Sequence, residues 1–251
     1  MHLPKIKKLF ESLQLKVDNS FLPIVFRNLT FSIDEKKILS KLNLSIKSNS
    51  ITVIMGPNGA GKSILLKLIN GILEPSSGAI LWNGNKITSD LKRKQALIFQ
   101  KPILLRRSVI SNLDFIEGLI GKSYNFIKDD LLSLVGLLGQ KKQPAKLLSL
   151  GEQQRLSLVR SLLLKPSLIL LDEPTANLDP ATTKIIENII VTSKQFGIKI
   201  IFVTHNILQA KRLADEVVFI DNGELVEYSN ADNFFSKPKS KIVKNYLEGK
   251  L

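Results

Sequence analysis

The glycine-rich segment at residues 56–63 has residue types and spacing suited to binding phosphate groups. It fits the pattern G-x-x-x-x-G-K-[ST] and consists of Gly56, Pro57, Asn58, Gly59, Ala60, Gly61, Lys62 and Ser63. Glycines let a backbone close around phosphates because no Cβ stands in the way. In this pattern the lysine reaches the β- and γ-phosphates and the serine hydroxyl binds Mg²⁺. The segment therefore predicts a nucleoside triphosphate site.

The sequence on either side of this segment predicts the elements that position it. Residues 50–55 are typical of a buried strand, and apolar residues follow at helical spacing, at Leu65, Leu66, Leu68, Ile69 and Ile72. A loop between a strand and a helix N-terminus gathers backbone N–H groups and the positive end of the helix dipole at one place. A chance glycine-rich turn is the alternative, and the two flanking elements make it the weaker interpretation.

A second segment, residues 167–173, is an apolar strand that ends in two carboxylates. A parallel strand delivers its last residue to the carboxyl edge of the sheet, where the phosphate loop is also expected. Asp172 suits Mg²⁺ coordination, and Glu173 could polarise an attacking water. Alone, this motif would be interpreted as a strand ending in a solvated acidic turn. Beside a phosphate loop, the catalytic interpretation is favoured.

Residues 146–155, with the sequence KLLSLGEQQR, resemble the signature sequence of ATP-binding cassette (ABC) ATPases. The other motifs of that family occur in its order along roughly residues 25–228. They are the phosphate loop at 56–63, a Q-loop glutamine at Gln100, the signature at 148–152, a Walker B strand at 168–173, a D-loop at 176–179 and a switch histidine at His205. A phosphate loop is shared by many NTPases, whereas the full set is specific to this family.

The resemblance implies roles for residues on both sides of an ATP molecule with its Mg²⁺. Glu173 and His205 would be catalytic, and the metal would be held by Ser63, Gln100 and Asp172. Two subunits would close head to tail around two ATP molecules, each lying between one phosphate loop and the other subunit's signature. Further ATP contacts, within the subunit or across this interface, would come from Gln100, Ser149, Gly151, Glu152 and Asp179.

Two positions depart from the family pattern. The signature has Leu150 where glycine is usual, and a leucine at positive φ would cost roughly 1–2 kcal/mol. Such a leucine could also crowd the partner's ATP, so we expect slower hydrolysis or weaker closure than in a glycine-containing relative. The family usually stacks the adenine on an aromatic residue before the second strand. Phe31 is the nearest candidate, although its register is off by a residue or two.

Hydrophobic patterning and the phosphate-loop motif together predict an α/β fold: a P-loop NTPase core with a mainly parallel sheet, an antiparallel β layer at the N-terminus and a helical subdomain at about 101–165. Alternation of apolar and polar residues within 25–33 and 42–46 indicates the antiparallel strands. Strands that alternate with helices indicate a mostly parallel sheet covered on both faces. We expect the ATPase domain to span 21–251. The basic segment 1–20 fits either a short amphipathic helix or a loose arm.

The amino-acid composition limits which binding partners and which cellular compartment are expected for this protein. The chain has 251 residues, with 36 Lys+Arg against 22 Asp+Glu and a net charge of +14, which favours anionic partners such as nucleic acid or a membrane surface. The positive residues are dispersed, and no nucleic-acid partner is expected. Absent cysteine excludes disulfides and thiol catalysis, and two histidines exclude a histidine-rich metal cluster. With neither a membrane-spanning run nor a signal peptide, we expect a cytoplasmic protein with peripheral membrane contact.

A single cassette with a compact helical insert resembles the separate ATPase subunit of a bacterial importer. Residues 95–113 and 206–215 resemble ATPase subunits of tungstate-type oxyanion importers, and phosphate and polar amino-acid importers are near relatives. The resemblance implies membrane permease subunits, a substrate-binding protein and a second ATPase subunit, expected to be identical, at the cytoplasmic face of the membrane. A nucleic-acid-linked ATPase, suggested by the charge, and a weakly hydrolysing ATP-binding switch, suggested by Leu150, remain as alternatives.

Overall fold

A computed structural model describes residues 3–13, 15, 17–47, 50–121 and 125–250 of the chain. The strands in these ranges are β1 Ile24–Ile33, β2 Lys36–Ile46, β3 Ile51–Met55, β4 Ser77–Trp82, β5 Gln95–Ile98, β6 Leu168–Asp172, β7 Lys199–Val203, β8 Glu216–Asp221 and β9 Glu224–Asn230. The α-helices are α1 Leu3–Ser12, α2 Lys62–Asn70, α3 Ser89–Arg93, α4 Val109–Ile120, α5 Asn125–Leu134, α6 Leu150–Leu163, α7 Pro180–Gln195, α8 Ile207–Leu213, α9 Ala231–Ser236 and α10 Lys241–Leu247.

A six-stranded sheet in the order β5-β6-β7-β3-β8-β9 forms the centre of the molecule. Neighbouring strands from β5 to β8 are parallel, and β9 pairs antiparallel with β8 at the edge. Strands β3, β6 and β7 are buried along their whole length, which agrees with their nearly continuous apolar sequences. The predicted mainly parallel sheet is confirmed. Because these strands are parallel, their carboxyl ends meet at one edge.

A separate three-stranded antiparallel sheet has the order β2-β1-β4. Its residues share a hydrophobic cluster with α2 and with one face of the central sheet, and Phe26, Leu29 and Leu39 are among its buried members. Helix α2 therefore packs between the two sheets. The predicted antiparallel layer is confirmed, and β4 completes it by pairing with β1.

The opposite face of the central sheet carries a second cluster, to which the remaining large helices contribute. Helices α4, α5 and α6 lie between β5 and β6 in the sequence, and α4 packs against α6. Helix α4 ends at Gly121, whose φ of 64° suits glycine at a helix C-cap. This region corresponds to the helical subdomain expected at about 101–165, and that boundary stays a prediction.

Helix α1 resolves the choice left open for the first residues of the chain. Its residues Ile6, Leu9 and Phe10, together with Leu13 just beyond it, are buried. The helix packs against α5 and α7, and the ring of Phe10 lies 5.2 Å from that of Phe196. The described part of the segment is thus an amphipathic helix bound to the core. Residues 1, 2, 14 and 16 lie outside the described ranges.

Among the described helices, none combines the length and the apolar character that a membrane crossing requires.

Candidate functional site

The loop between β3 and α2 has a backbone that depends on glycine. Gly56 has a φ of 144°, and a Cβ there would lie 1.9 Å from the carbonyl oxygen of Ile220. Gly59 also has positive φ, but a Cβ on it would meet nothing within 4 Å. The first glycine is thus required by close packing against β8, whereas the second borders open space where a ligand can approach.

Helix α2 begins with backbone N–H groups that no side chain caps. Its N-cap is Gly61, which has no side chain to accept a hydrogen bond. By contrast, helices α4, α6, α7 and α8 begin at side chains that accept a backbone N–H, those of Ser108, Ser149, Asp179 and Asn206. Uncapped N–H groups at the positive end of a helix suit an anion. The loop and α2 therefore fit the phosphates of a nucleotide.

The Lys62 side chain is buried and curls back over its own loop. Its Nζ donates to the carbonyl oxygens of Gly56 at 2.8 Å and Pro57 at 2.7 Å. Burial lowers the pKa of Lys62, and the charges of Glu173 and Asp172 oppose that effect. The ammonium is therefore held at the loop by neutral carbonyls, near two carboxylates but not paired with either.

Asp172 is the last residue of β6 and is buried beside α2. Its Oδ1 accepts a hydrogen bond from the Ser63 hydroxyl at 2.9 Å. Burial raises the pKa of Asp172, an effect that the bond from Ser63 opposes. A hydroxyl and a carboxylate in contact supply two oxygen ligands of the kind that Mg²⁺ prefers. The structure thus brings together two of the three residues predicted to hold the metal.

Glu173 contacts two of the other predicted functional residues. Its φ of 45° lies in the left-handed region, which is uncommon for a residue other than glycine, and its N–H donates to the carbonyl oxygen of Val203 at 3.0 Å. The carboxylate Oε2 accepts from the Gln100 amide at 3.1 Å and lies 3.3 Å from Nδ1 of His205. Loops after β5, β6 and β7 therefore converge on one carboxylate.

These residues surround one cleft of about 530 Å³ at the carboxyl edge of the sheet. Its lining consists of Ile38, Asn58, Gly59, Gly61, Lys62, Ser63, Ile64, Gln100, Glu173 and His205. Phe31, the candidate for adenine stacking, does not line this cleft; it pairs with Leu39 and packs on the cluster between the two sheets. Ile38 lines it instead.

The predicted signature residues lie at the start of α6 and do not line that cleft. Ser149 is the N-cap, and it forms a capping box with Glu152, in which each side chain bonds to the other's backbone N–H. A hydrogen bond from Gln140 is the largest effect that lowers the pKa of Glu152. A Cβ on Gly151 would lie 3.2 Å from Cγ2 of Thr182, so the start of α6 packs closely against α7.

The predicted D-loop leads into α7. Asp179 is the N-cap of that helix and accepts the Thr182 N–H at 2.9 Å, and hydrogen bonds from the side chain and the backbone of Thr182 lower the pKa of Asp179. Ala176, Asn177 and Leu178 line a second cleft of about 360 Å³, which is shared with Glu173 and His205. The D-loop thus lies beside the catalytic candidates of its own subunit, with Asp179 itself engaged in the helix cap.

Comparison with known proteins identifies the family. A sequence model described as ABC transporter matches residues 39–176. The solved structure of cbiO1 from Clostridium perfringens, described as part of the ABC transporter complex cbiONQ, is 30% identical, with a TM-score of 0.74 over 87% of this chain and 92% of that chain. The chain belongs to the ABC transporter family. The solved structure of an ATP-binding subunit of an ABC transporter is 25% identical, with a TM-score of 0.78 over 90% of this chain and 98% of that chain.

The protein is thus an ATPase and the ATP-binding subunit of an ABC transporter, as its motifs predict. In this ABC ATPase, the strain considered for Leu150 does not arise. Leu150 is the first residue of α6 and is not among the residues with positive φ. Its side chain is 44% exposed beside the signature serine. The departure from glycine therefore changes the surface at this point, and not the backbone.

Two features of the site were not predicted from the sequence. Ile38 lines the cleft because β2 runs past the phosphate loop, a contact between segments with no shared motif. The Gln209 amide lies behind the catalytic candidates and bonds to Thr175 and Thr204. Thr204 could have been noticed as the neighbour of His205. A single glutamine within a helix carries no comparable signal.

Proposed function

We propose that this protein is the ATP-hydrolysing subunit of an importer that couples ATP binding and hydrolysis to transport of a small anion, tungstate or a related oxyanion. The ATPase part is carried by one observation, the convergence of the phosphate loop, Glu173 and the Ser63 hydroxyl that bonds to Asp172 on a single cleft. The importer and oxyanion parts are supported by the resemblance of residues 95–113 and 206–215 to subunits of such transporters.

The phosphate loop and Lys62 would hold the nucleotide. The uncapped N–H groups of α2 would donate to the phosphates, and Lys62 would exchange the carbonyls of Gly56 and Pro57 for β- and γ-phosphate oxygens. Ser63, Asp172 and Gln100 would hold Mg²⁺, which neutralises charge on the β- and γ-phosphates when bound. Ile38 would flank the nucleotide on the side of the antiparallel sheet.

Glu173 would orient the attacking water and accept its proton. In the described arrangement its Oε2 is engaged by Gln100 and lies close to His205. Gln100 would therefore have to leave this oxygen and turn to the metal site before the Glu173 carboxylate could act as a base. His205 would stay between Glu173 and the γ-phosphate and hold both in place. This exchange gives the Q-loop control over the timing of hydrolysis.

A second ATPase subunit, expected to be identical, would complete each site. Ser149, Gly151 and Glu152 do not line the cleft of their own chain, so they are available to contact ATP held by another copy. Asp179, at the start of α7, would link the two sites. The exposed Leu150 would lie at this interface, where we expect it to crowd the partner's ATP and slow closure.

Membrane permease subunits and a substrate-binding protein would be the other partners. Support comes from cbiO1, which is part of the ABC transporter complex cbiONQ. The ATPase would lie at the cytoplasmic face of the membrane, with residues 21–251 as the ATPase domain and the helical subdomain at about 101–165 facing the permease. Residues 1–20 would form a basic N-terminal arm, which α1 attaches to the core.

A weakly hydrolysing ATP-binding switch is the second candidate, favoured by the exposed leucine in the signature. Leu150→Gly tests this support: faster turnover and stronger ATP-driven dimerisation are expected if Leu150 crowds the interface. If both stay unchanged, Leu150 does not limit the enzyme, and the switch loses its support.

The proposal is tested by co-expression with candidate permease and substrate-binding subunits, followed by purification of the membrane complex. ATP hydrolysis is then measured with tungstate, molybdate, phosphate or glutamine, and Glu173→Gln serves as the inactive control. We expect stimulation by tungstate or molybdate. Stimulation by phosphate or glutamine would instead indicate the ATPase subunit of a phosphate or polar amino-acid importer. Failure to bind any permease, together with turnover that responds to DNA or RNA, would contradict the importer.

A further inference from the structure

A buried amide behind the cleft connects the two loops that carry Glu173 and His205. Gln209 lies on α8, and its side chain is 2% exposed. Its Nε2 donates to the Thr175 hydroxyl at 3.0 Å, and its Oε1 accepts from the Thr204 hydroxyl at 3.0 Å. Thr175 follows Glu173 by two residues, and Thr204 directly precedes His205. One side chain therefore bonds to both loops.

The orientation of this amide is fixed by a buried carboxylate on α7. Oε1 of Glu187 accepts from Nε2 of Gln209 at 3.0 Å and from the Arg212 guanidinium at 2.7 Å. A carboxylate can only accept, so the amide nitrogen must face Glu187 and the amide oxygen must face Thr204. The Gln209 amide therefore cannot flip without leaving Glu187 short of a donor. The amide therefore holds the hydroxyl groups of Thr175 and Thr204 at a fixed distance from each other.

Helix α8 does not need this amide in order to pack. Ala210 and Leu213 bury its apolar face, and Asn206 caps its first turn by accepting the Gln209 N–H at 3.0 Å. The polar bonds of the Gln209 side chain go to the loops that follow β6 and β7 and to α7. This distribution is suited to aligning loops.

We propose that Gln209 is a positioning residue for ATP hydrolysis, which sets the separation between Glu173 and His205 by bonding to the loops that carry them. The inference rests on the proposed roles of those two residues. Their side chains lie 3.3 Å apart between the same two loops. A shift of either loop would change that distance, whereas the phosphate loop on β3 would stay in place. Loss of the amide therefore slows the chemical step and leaves ATP binding intact.

The test compares Gln209→Leu with Gln95→Leu, a matched change of another buried glutamine to an apolar residue of similar size. The amide nitrogen of Gln95 has no hydrogen-bond partner, and the residue lies on β5, so its loss should leave turnover unchanged. For Gln209→Leu we expect kcat to fall about tenfold or more, because small misplacements of catalytic groups are costly. KM for ATP should stay within about twofold, since the phosphate loop is untouched.

Thr175→Val provides a second measurement that does not depend on the larger change. It removes one hydroxyl partner with little change of shape, and we expect a smaller fall in kcat with KM unchanged. In the double variant with Gln209→Leu the two effects should not add, because both remove the same link. Should Gln209→Leu fail to fold, Thr175→Val alone decides the matter.

An unchanged kcat in folded Gln209→Leu, or in Thr175→Val when Gln209→Leu does not fold, would overturn the inference. An equal fall of kcat in Gln95→Leu would also overturn it, because the effect would then reflect buried amides in general. Glu173→Gln separates this failure from that of the proposed function. If Glu173→Gln keeps normal turnover, the assigned roles are wrong. If it is inactive while Gln209→Leu has normal kcat, only the positioning role is wrong.

Discussion

The two ends of the central sheet both carry buried charged groups, but they differ in what surrounds those groups. At the carboxyl edge, Lys62 and Glu173 border an open cleft, and the buried Asp172 accepts a hydrogen bond from Ser63, which also lines it. At the amino edge, Lys199 and Glu216, the first residues of β7 and β8, form an ion pair at 3.1 Å inside the protein. The same strands thus position a solvent-facing site at one end and an enclosed pair at the other.

The enclosed pair is saturated with hydrogen bonds. Nζ of Lys199 is 0% exposed and donates to the hydroxyls of Ser50 at 2.8 Å and Thr52 at 2.6 Å. Glu216 also accepts from both of those hydroxyls and from the hydroxyl of Tyr228. The network joins β3, β7, β8 and β9. With every strong partner supplied by the protein, no position is left for a ligand.

The comparison shows that buried charge by itself does not identify a functional site. Burial lowers the pKa of both Lys62 and Lys199, the latter to about 8. Lys62 nevertheless donates to backbone carbonyls that a phosphate could replace, whereas Lys199 is paired with a carboxylate that holds it. The distinction therefore lies in the cleft and in the partners, and it can be tested by variants at each end.

The largest expected effect is at the carboxyl edge. Glu173→Gln should lower kcat by about 10²–10⁴-fold, because an amide cannot accept the proton of the attacking water. The free energy of unfolding should change little, since the side chain borders the cleft and the amide can keep similar contacts. Steady-state ATP hydrolysis and urea unfolding of the same preparation measure the two quantities. A kcat close to wild type would remove Glu173 from its proposed role.

Glu216→Gln should have the opposite outcome. It leaves the buried Lys199 ammonium without its counter-charge, which is expected to lower the free energy of unfolding by about 3 kcal/mol. Turnover per folded molecule should stay at the wild-type level because the pair lies at the far end of the strands. Urea unfolding measures the first effect, and active-site-normalised turnover measures the second. Unchanged stability would mean that the network is not the structural element described here.

The pH dependence of stability should also report on Lys199. Its pKa is lowered by burial to about 8, against 10.5 for an ordinary lysine, so unfolding takes up a proton between these values. The free energy of unfolding should therefore rise with pH, by at most about 1.4 kcal/mol per unit. Above pH 10 the raised pKa of Tyr228 acts in the opposite direction, so the window is pH 8–10.

The control for this pH effect is Lys199→Met. Lys62 also has a lowered pKa and contributes in the same direction, so the difference between the wild type and this variant isolates Lys199. The rise between pH 8 and pH 10 should be shallower in Lys199→Met. Identical slopes in the two proteins would show that Lys199 does not titrate in this window.

Asp179→Ala should have the smallest effect on turnover and stability of these variants. It tests whether a carboxylate near the carboxyl edge can have a purely structural role. The neighbours of Asp179, Leu178 and Pro180, line the second cleft, but its own carboxylate is engaged in capping α7. Loss of such a cap lowers the free energy of unfolding slightly. Ser108→Ala, at the start of α4, is the matched cap variant. Both should unfold at slightly lower urea concentration, and nucleotide affinity of the isolated subunit should not change in either.

The sequence predicts the carboxyl edge well because its residues come in contiguous motifs. Residues 56–63 lie in one loop, and Asp172 and Glu173 end one strand, so their placement follows from local structure. The mainly parallel character of the central sheet and the antiparallel layer follow from periodicity and from alternation of strands and helices, whereas the order of the strands does not. The placement of these residues and the fold class are thus encoded over short distances along the chain.

Contacts between distant segments could not be predicted in this way. Lys199 and Glu216 lie on different strands and belong to no motif, and nothing local indicates that they pair. The same holds for Gln209 and its hydroxyl partners. The helical conformation of Leu150 was also missed, because the capping of α6 by Ser149 determines it and the leucine itself does not. Each of these depends on tertiary packing.

The most direct test of this account measures turnover per folded molecule and free energy of unfolding for Glu173→Gln and Glu216→Gln side by side with the wild type. We expect opposite results for the two variants. Glu173→Gln loses turnover by about 10²–10⁴-fold and keeps its free energy of unfolding. Glu216→Gln loses about 3 kcal/mol of its free energy of unfolding and keeps its turnover. If Glu173→Gln hydrolyses ATP normally, or if Glu216→Gln loses turnover as severely as Glu173→Gln, the division between a catalytic edge and a structural edge is wrong.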